Sequence, residues 1–215
     1  MKARRWMLAL PPLCALLIYA PTLDGAYTLD DDAVVAANPA VVGAAPLAEV
    51  FTREYWGRPL SAGWSSSYRP LVSLSLAIEE RVLPGPWLHR LMNLLLYAAL
   101  VTLVLHLCRH RAGDAVAVAV AVAFAVVPLH ADNAASIVGR ADTMATILAL
   151  WAVMAARRGA VVVAAVSYGA ALLCKESVAL VPAVAAWLWW VDVRADSPVH
   201  DSSVHDSSVH DSSVH

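Results

Sequence analysis

The chain has 215 residues, 60% of them hydrophobic and 15% charged, with a mean hydropathy of +0.63. Soluble domains run at about 45–50% apolar and about 25% charged, so the composition argues against a water-soluble enzyme. A formal net charge of −2 argues against a strongly basic nucleic-acid binder, and no nucleic acid is expected as a partner. Cys14, Cys108 and Cys174 lie far apart inside apolar runs, which suggests small buried hydrophobes rather than a disulfide framework or a zinc site.

Charge falls in blocks and the stretches between them are nearly uncharged, the pattern of an integral membrane protein. The first apolar run, Trp6 to Leu23, follows Lys2, Arg4 and Arg5; no small-x-small cleavage site comes after it, which favours a first transmembrane helix over a signal peptide. A long acidic segment from Asp24 to Leu88 then reads as a loop. The second run, Leu91 to Cys108, ends at Arg109, His110 and Arg111; the third covers Ala115 to Leu129. Its AVAVAVAVAF sequence has period two, but both members of the alternation are apolar. An open strand in lipid would also leave its backbone groups unpaired, so helix is the expectation. A fourth run extends from near Ala134 to Ala156, before Arg157 and Arg158.

The last apolar stretch, Ala160 to Val191, is interrupted by Lys175 and Glu176. Two full crossings need about 40 residues, and one helix of this length would be about 48 Å long. The reading preferred is a hairpin of two short helices with Lys175–Glu176 at a turn sunk below the outer surface, the fifth and sixth of about six transmembrane helices in an all-α polytopic membrane protein. Basic clusters at 2–5, 109–111 and 157–158 mark alternate ends of successive spans, which puts them and the N-terminus in the cytoplasm and the acidic loop outside. The domain expectation is a membrane part over 1–194 and a separate tail over 195–215. That tail runs DSPVH and then three copies of DSSVH, a low-complexity repeat expected to be disordered, with weak metal binding by its histidines the alternative.

Several polar groups stand out on the expected outer face. Asp30, Asp31 and Asp32 are adjacent carboxylates, suited to a general base for an acceptor hydroxyl or to a divalent cation held through oxygen, with a solvated acidic turn as the plain alternative. His130 and Asp132 are two apart, so they converge in a loop. Arg140 falls seven or eight residues inside the expected fourth helix, on the order of 11 Å from its end. At that depth it should face a polar cavity, an anion or a carboxylate such as Asp142, unless it snorkels to headgroups. Lys175 is a compact cation suited to a lipid-linked phosphate, or else the partner of Glu176 in a self-compensating pair. His89, Arg90 and Asn93 open the second span on the same side, for packing or headgroup contact.

The segments TLDDDAVVAANPAV (28–41), YWGRPL (55–60), SYRPLVSLSL (67–76), WLHRLMNLLLY (87–97), FAVVPLHADNAASIVGRADTMATIL (124–148) and LLCKES (172–177) together resemble the family of transmembrane O-mannosyltransferases targeting cadherins, with its bacterial tetratricopeptide-repeat relatives. The resemblance implies the N-terminal portion of a C-type glycosyltransferase helix bundle with a long first outer loop. It further implies transfer of a sugar from a polyprenyl-phosphate donor to a protein hydroxyl, on the periplasmic or luminal side of a bacterial inner membrane or the endoplasmic reticulum. Asp30 and Asp31 match the family's paired aspartates, one of them the candidate base; Arg140 and Lys175 match donor-phosphate positions. Arg69, His130, Asp132, Asp142 and Glu176 are supporting residues. Asp132 is a shorter acid than the family's usual glutamate, and Tyr97 stands where a histidine is common. The family continues with further helices and repeats, so the expectation is a truncated enzyme. A transporter and a non-catalytic membrane fragment are the competing readings.

Overall fold

The computed structural model describes residues 5–62 and 67–195, and the DSSVH repeats lie outside the described residues. Residues 1–179 and 180–215 are separate compact units. Among the described residues the elements are helices and turns, with one isolated antiparallel bridge between Arg53 and Pro59. The all-α expectation therefore holds.

In the first unit, helix α1 (Leu10–Tyr19) carries Pro11 in its first turn, where a missing N–H costs nothing. With its flanking 3-10 turns it makes a 19-residue apolar stretch, Trp6–Asp24, as the first apolar run predicts. Helix α2 (Pro70–Val82) follows the long first loop, and helix α3 is Pro86–Val126. Helix α3 is broken at Gly113, whose φ of 76° and ψ of 170° no other residue type adopts at low cost. Its limbs fold back on one another. Leu94, Tyr97 and Val101 share a core cluster with Ala125, and Leu105 shares one with Ala117, Val118 and Ala121. The Tyr97 hydroxyl donates to the carbonyl oxygens of Phe124 (3.1 Å) and Ala125 (3.3 Å), and Tyr19 of α1 meets the Tyr97 ring edge-on at 5.6 Å. Tyr97 is thus a core residue of this hairpin. The period-two stretch is helical, as expected.

After a 3-10 turn (Pro128–His130) come the short helix α4 (Ala131–Ala135), helix α5 (Arg140–Arg157) and helix α6 (Val161–Leu172), which packs along α5. Arg158, in the α5–α6 turn, acts electrostatically on His106, near the Gly113 turn. The two basic turns therefore share one end of the unit. Large apolar side chains remain uncovered on the helices: Leu17 is 74% exposed, Val162 77% and Val166 68%. In water such a surface is a liability, whereas in lipid it is the required one. The chain is an integral membrane protein.

Three expectations change. The Asp24–Leu88 segment is not all loop: it contains α2, begun by Pro70 at a position that tolerates the absent N–H. The fourth span does not start near Ala134. Pro128–Ala135 and Arg140–Arg157 are bent by 103° at a short break, so Arg140 begins α5 and is not buried two turns inside it. By length and composition two stretches can cross a membrane, or three if that bent pair is one span. The expected six is reached only if both limbs of α3 and the shorter helices α6 and α7 are counted as well. In the second unit, α7 (Val181–Ala195) is apolar, with Trp187 and Trp190 exposed.

Candidate functional site

The first loop is tied down by its polar residues. Asn38 is buried; its Oδ1 accepts the Ala40 N–H at 3.2 Å and its Nδ2 donates to the Tyr55 carbonyl at 3.4 Å. Arg81, in the last turn of α2, donates to the carbonyl oxygens of Ala40, Val41 and Ala45. A turn of five residues, Asp32–Ala36, follows the acidic cluster.

Asp31 is fully buried, while Asp30 and Asp32 are exposed. Asp31 Oδ2 accepts from the N–H and hydroxyl of Thr28, both at 3.2 Å, and Oδ1 accepts from the backbone N–H of Ile137 (3.1 Å) and Val138 (3.3 Å). Arg90 Nη2 lies 3.7 Å from Oδ2. A carboxylate surrounded by N–H and O–H donors has no lone pair left for a metal. Among the described residues no group of three His, Cys, Asp or Glu side chains is arranged to hold an ion. The three aspartates therefore do not form the cation site that adjacency suggested. The 136–139 turn that supplies the two amides is itself compressed. A Cβ on Gly139 would stand 2.3 Å from the Asp132 carbonyl oxygen, so only glycine fits there.

Arg140, fully buried, is the hub beneath this turn. Its Nε donates to Asn93 Oδ1 (2.6 Å), its Nη1 to Ser75 Oγ (3.1 Å) and Glu79 Oε1 (2.7 Å), and its Nη2 to the His89 carbonyl (2.8 Å). Asn93 Nδ2 returns to the Ser136 carbonyl at 2.6 Å. His89, also fully buried, presents Nδ1 to Glu79 Oε2 at 2.8 Å and Nε2 to Glu80 Oε2 at 2.9 Å. Both ring nitrogens are thus held by carboxylates of α2. Arg90 donates to the carbonyl oxygens of Ala135 and Ala26. His89, Arg90 and Asn93 are thus the posts on which the first loop, α2 and the head of α5 are hung. Glu79 and Glu80 were not singled out in the sequence because α2 was not. The signal was Pro70 followed by buried positions at Val72, Ser73, Leu76 and Ala77, a helical spacing that leads to the glutamates.

Two cations lie nearer the surface. Lys175 Nζ is bonded to both Asp142 oxygens, at 2.5 and 2.6 Å, rather than to its neighbour Glu176. Glu176 instead pairs with Arg69 (Nη2–Oε1 3.0 Å), whose guanidinium also sits 5.0 Å above the Tyr55 ring. The Arg69 hydrogen bond holds the Glu176 carboxyl below its ordinary range against a smaller opposing effect of burial. Burial, aided by Glu80, pushes Tyr27 up to about 12. His130 and Asp132 do not converge in an open loop: His130 ends the 3-10 turn with its ring 4.2 Å from that of Phe124, and Asp132 is exposed on α4. A hollow on the first loop, lined by Glu49, Phe51, Arg53, Pro59 and Leu60, shares no residue with this cluster.

The arrangement joins an exposed carboxylate on a hydrogen-bonded turn, a buried frame and two partly exposed cations, each paired with a single carboxylate. Such cations can exchange a carboxylate for a phosphate, and the free carboxylate can take a proton.

Over 76% of its length the chain is 34% identical to protein O-mannosyl-transferase Tmtc1 of Drosophila melanogaster, and it spans 20% of that protein. It is 33% identical over 63% of its length to protein O-mannosyl-transferase TMTC2 of Homo sapiens, spanning 16%. Against protein O-mannosyl-transferase F38B6.6 of Caenorhabditis elegans it is 29% identical over 65% of its length, spanning 21%. The chain thus covers about a fifth or less of these relatives. No family model matches it, and no solved structure does.

Proposed function

The chain is a relative of the protein O-mannosyl-transferases, and from that kinship and its outer-face cluster we propose that it moves mannose from a polyprenyl-phosphate donor to a protein hydroxyl. The acceptor oxygen attacks the anomeric carbon, its proton passes to Asp30, and the sugar–oxygen bond to phosphate breaks with its electron pair leaving on the polyprenyl phosphate. Asp30 is chosen because it is exposed, whereas Asp31 is spent on four hydrogen-bond donors and acts as a positioning residue. Lys175 and Arg69 are the phosphate contacts, their side chains 23% and 11% exposed and each paired with one carboxylate. Arg140 has four of its N–H directions committed and no exposed surface, so its part is to hold the frame rather than to touch phosphate.

The observation that carries this reading is the bond from Asp31 to the Ile137 and Val138 amides, which fixes the acidic turn to the segment leading into Arg140, Asp142 and, through Asp142, Lys175. The two basic turns at one end of the unit support, through the positive-inside rule, a periplasmic or luminal side for the cluster. Binding of radiolabelled polyprenyl-phosphate mannose to the detergent-solubilised protein tests the reading. Saturable binding that Lys175→Met weakens at least about tenfold is expected, since a charge-assisted hydrogen bond is lost. Binding indifferent to Lys175→Met would overturn the phosphate assignment, and no binding would overturn the function.

A further inference from the structure

Tyr55 is the residue the proposed chemistry leaves unexplained. It is fully buried and its backbone is satisfied: its N–H donates to the Ser67 carbonyl at 2.9 Å and its carbonyl accepts from Asn38. Its ring lies under the Arg69 guanidinium and meets Trp56 at 5.6 Å. Its hydroxyl has no hydrogen-bond partner among the described residues. A buried tyrosine O–H nearly always finds an acceptor, and a phenylalanine would fill the same space without a polar atom to desolvate.

The charged groups acting on that hydroxyl are Arg69, Arg140, Asp31 and Asp142, one from each arm of the outer-face cluster. Burial raises the phenol above its ordinary range, so at neutral pH it is a donor and not an anion. Neither of those carboxylates reaches hydrogen-bond distance of it, so a buried donor beneath an arginine whose partner Glu176 is largely exposed lacks an acceptor that an incoming anionic oxygen would supply. Exchange of Arg69 from Glu176 to an incoming phosphate would bring such an oxygen over the ring. We infer that the Tyr55 hydroxyl donates a hydrogen bond to a phosphate oxygen of the lipid-linked donor, making Tyr55 a third binding residue beside Arg69 and Lys175. This rests on the function proposed above.

The test compares the purified full chain with Tyr55→Phe, using undecaprenyl phosphate, undecaprenol and phosphatidylglycerol as probes in detergent micelles, together with thermal unfolding without ligand. Tyr55→Phe is expected to bind undecaprenyl phosphate about tenfold more weakly, to treat undecaprenol as the parent does, and to unfold at the same or a higher temperature. Equal affinity for undecaprenyl phosphate would overturn the assignment, as would a lower unfolding temperature, which would reveal a structural partner. An equal loss of phosphatidylglycerol binding would make Tyr55 a general headgroup contact and overturn the donor role. If the parent itself fails to bind undecaprenyl phosphate, the proposed function falls and the Tyr55 assignment with it, whereas binding retained in Tyr55→Phe removes the assignment alone.

Discussion

Asp31 Oδ1 accepts the backbone N–H of Ile137, 106 positions downstream, at 3.1 Å. This bond ties the acidic turn to the segment that leads into α5 and commits Asp31 to structure, while the adjacent Asp30 stays exposed. Asp31→Asn turns an acceptor-only group into one with an N–H₂ that meets Thr28 donors and leaves Arg90 without its carboxylate. Loss of about 2–4 kcal/mol of stability is expected, read as a lowered midpoint in denaturant or thermal unfolding. Asp30→Asn, by contrast, should leave the midpoint unchanged.

Arg140 tests the buried frame. Arg140→Met leaves Glu79 Oε1 and Asn93 Oδ1 without the guanidinium donor in a largely buried site. Removing one partner of a buried pair costs about 3–5 kcal/mol. Native-state hydrogen exchange should show α2 and the 136–139 turn loosening together, while α6 is unaffected.

Much of this site was legible in the sequence, and the misses have physical causes. Arg140 and Lys175 stand out in the sequence because ionisable groups are rare in apolar runs, and Asp31 because it belongs to three adjacent carboxylates. Sequence adjacency offers Glu176 as the alternative partner of Lys175, but the turn at Leu173–Lys175 points the ammonium to Asp142 and leaves Glu176 to Arg69. Helix α2 was missed because its apolar residues are mixed with serines and end in two glutamates, the composition of a surface loop. Those glutamates are drawn inward by His89 and Arg140, partners that only the folded chain brings near.

Gly139 carries a prediction of its own. In Gly139→Ala the new Cβ collides with the Asp132 backbone, which cannot swing aside as a side chain can. Overpacking of this kind costs about 1–3 kcal/mol. The displaced turn would withdraw the Ile137 and Val138 amides from Asp31, so the variant should lose donor binding as well as stability.

The Arg69–Glu176 pair gives a pH dependence. Its folded carboxyl titrates below the ordinary glutamate value of 4.5, so the pair contributes stability above that value and loses it as pH falls through the lowered one. The unfolding midpoint of the parent should exceed that of Glu176→Gln at pH 7, and the difference should shrink and vanish as pH falls through the lowered carboxyl value. A difference that grows on acidification would contradict the pairing.

The central claim is that Asp30 takes the acceptor proton at this site. Its most direct test is the rate of mannose transfer from polyprenyl-phosphate mannose to an acceptor protein in proteoliposomes, measured for the parent and for Asp30→Asn matched in insertion and donor binding. Loss of a general base predicts a rate lower by about 10²–10⁴-fold with donor affinity unchanged. Transfer at the parental rate would contradict the account.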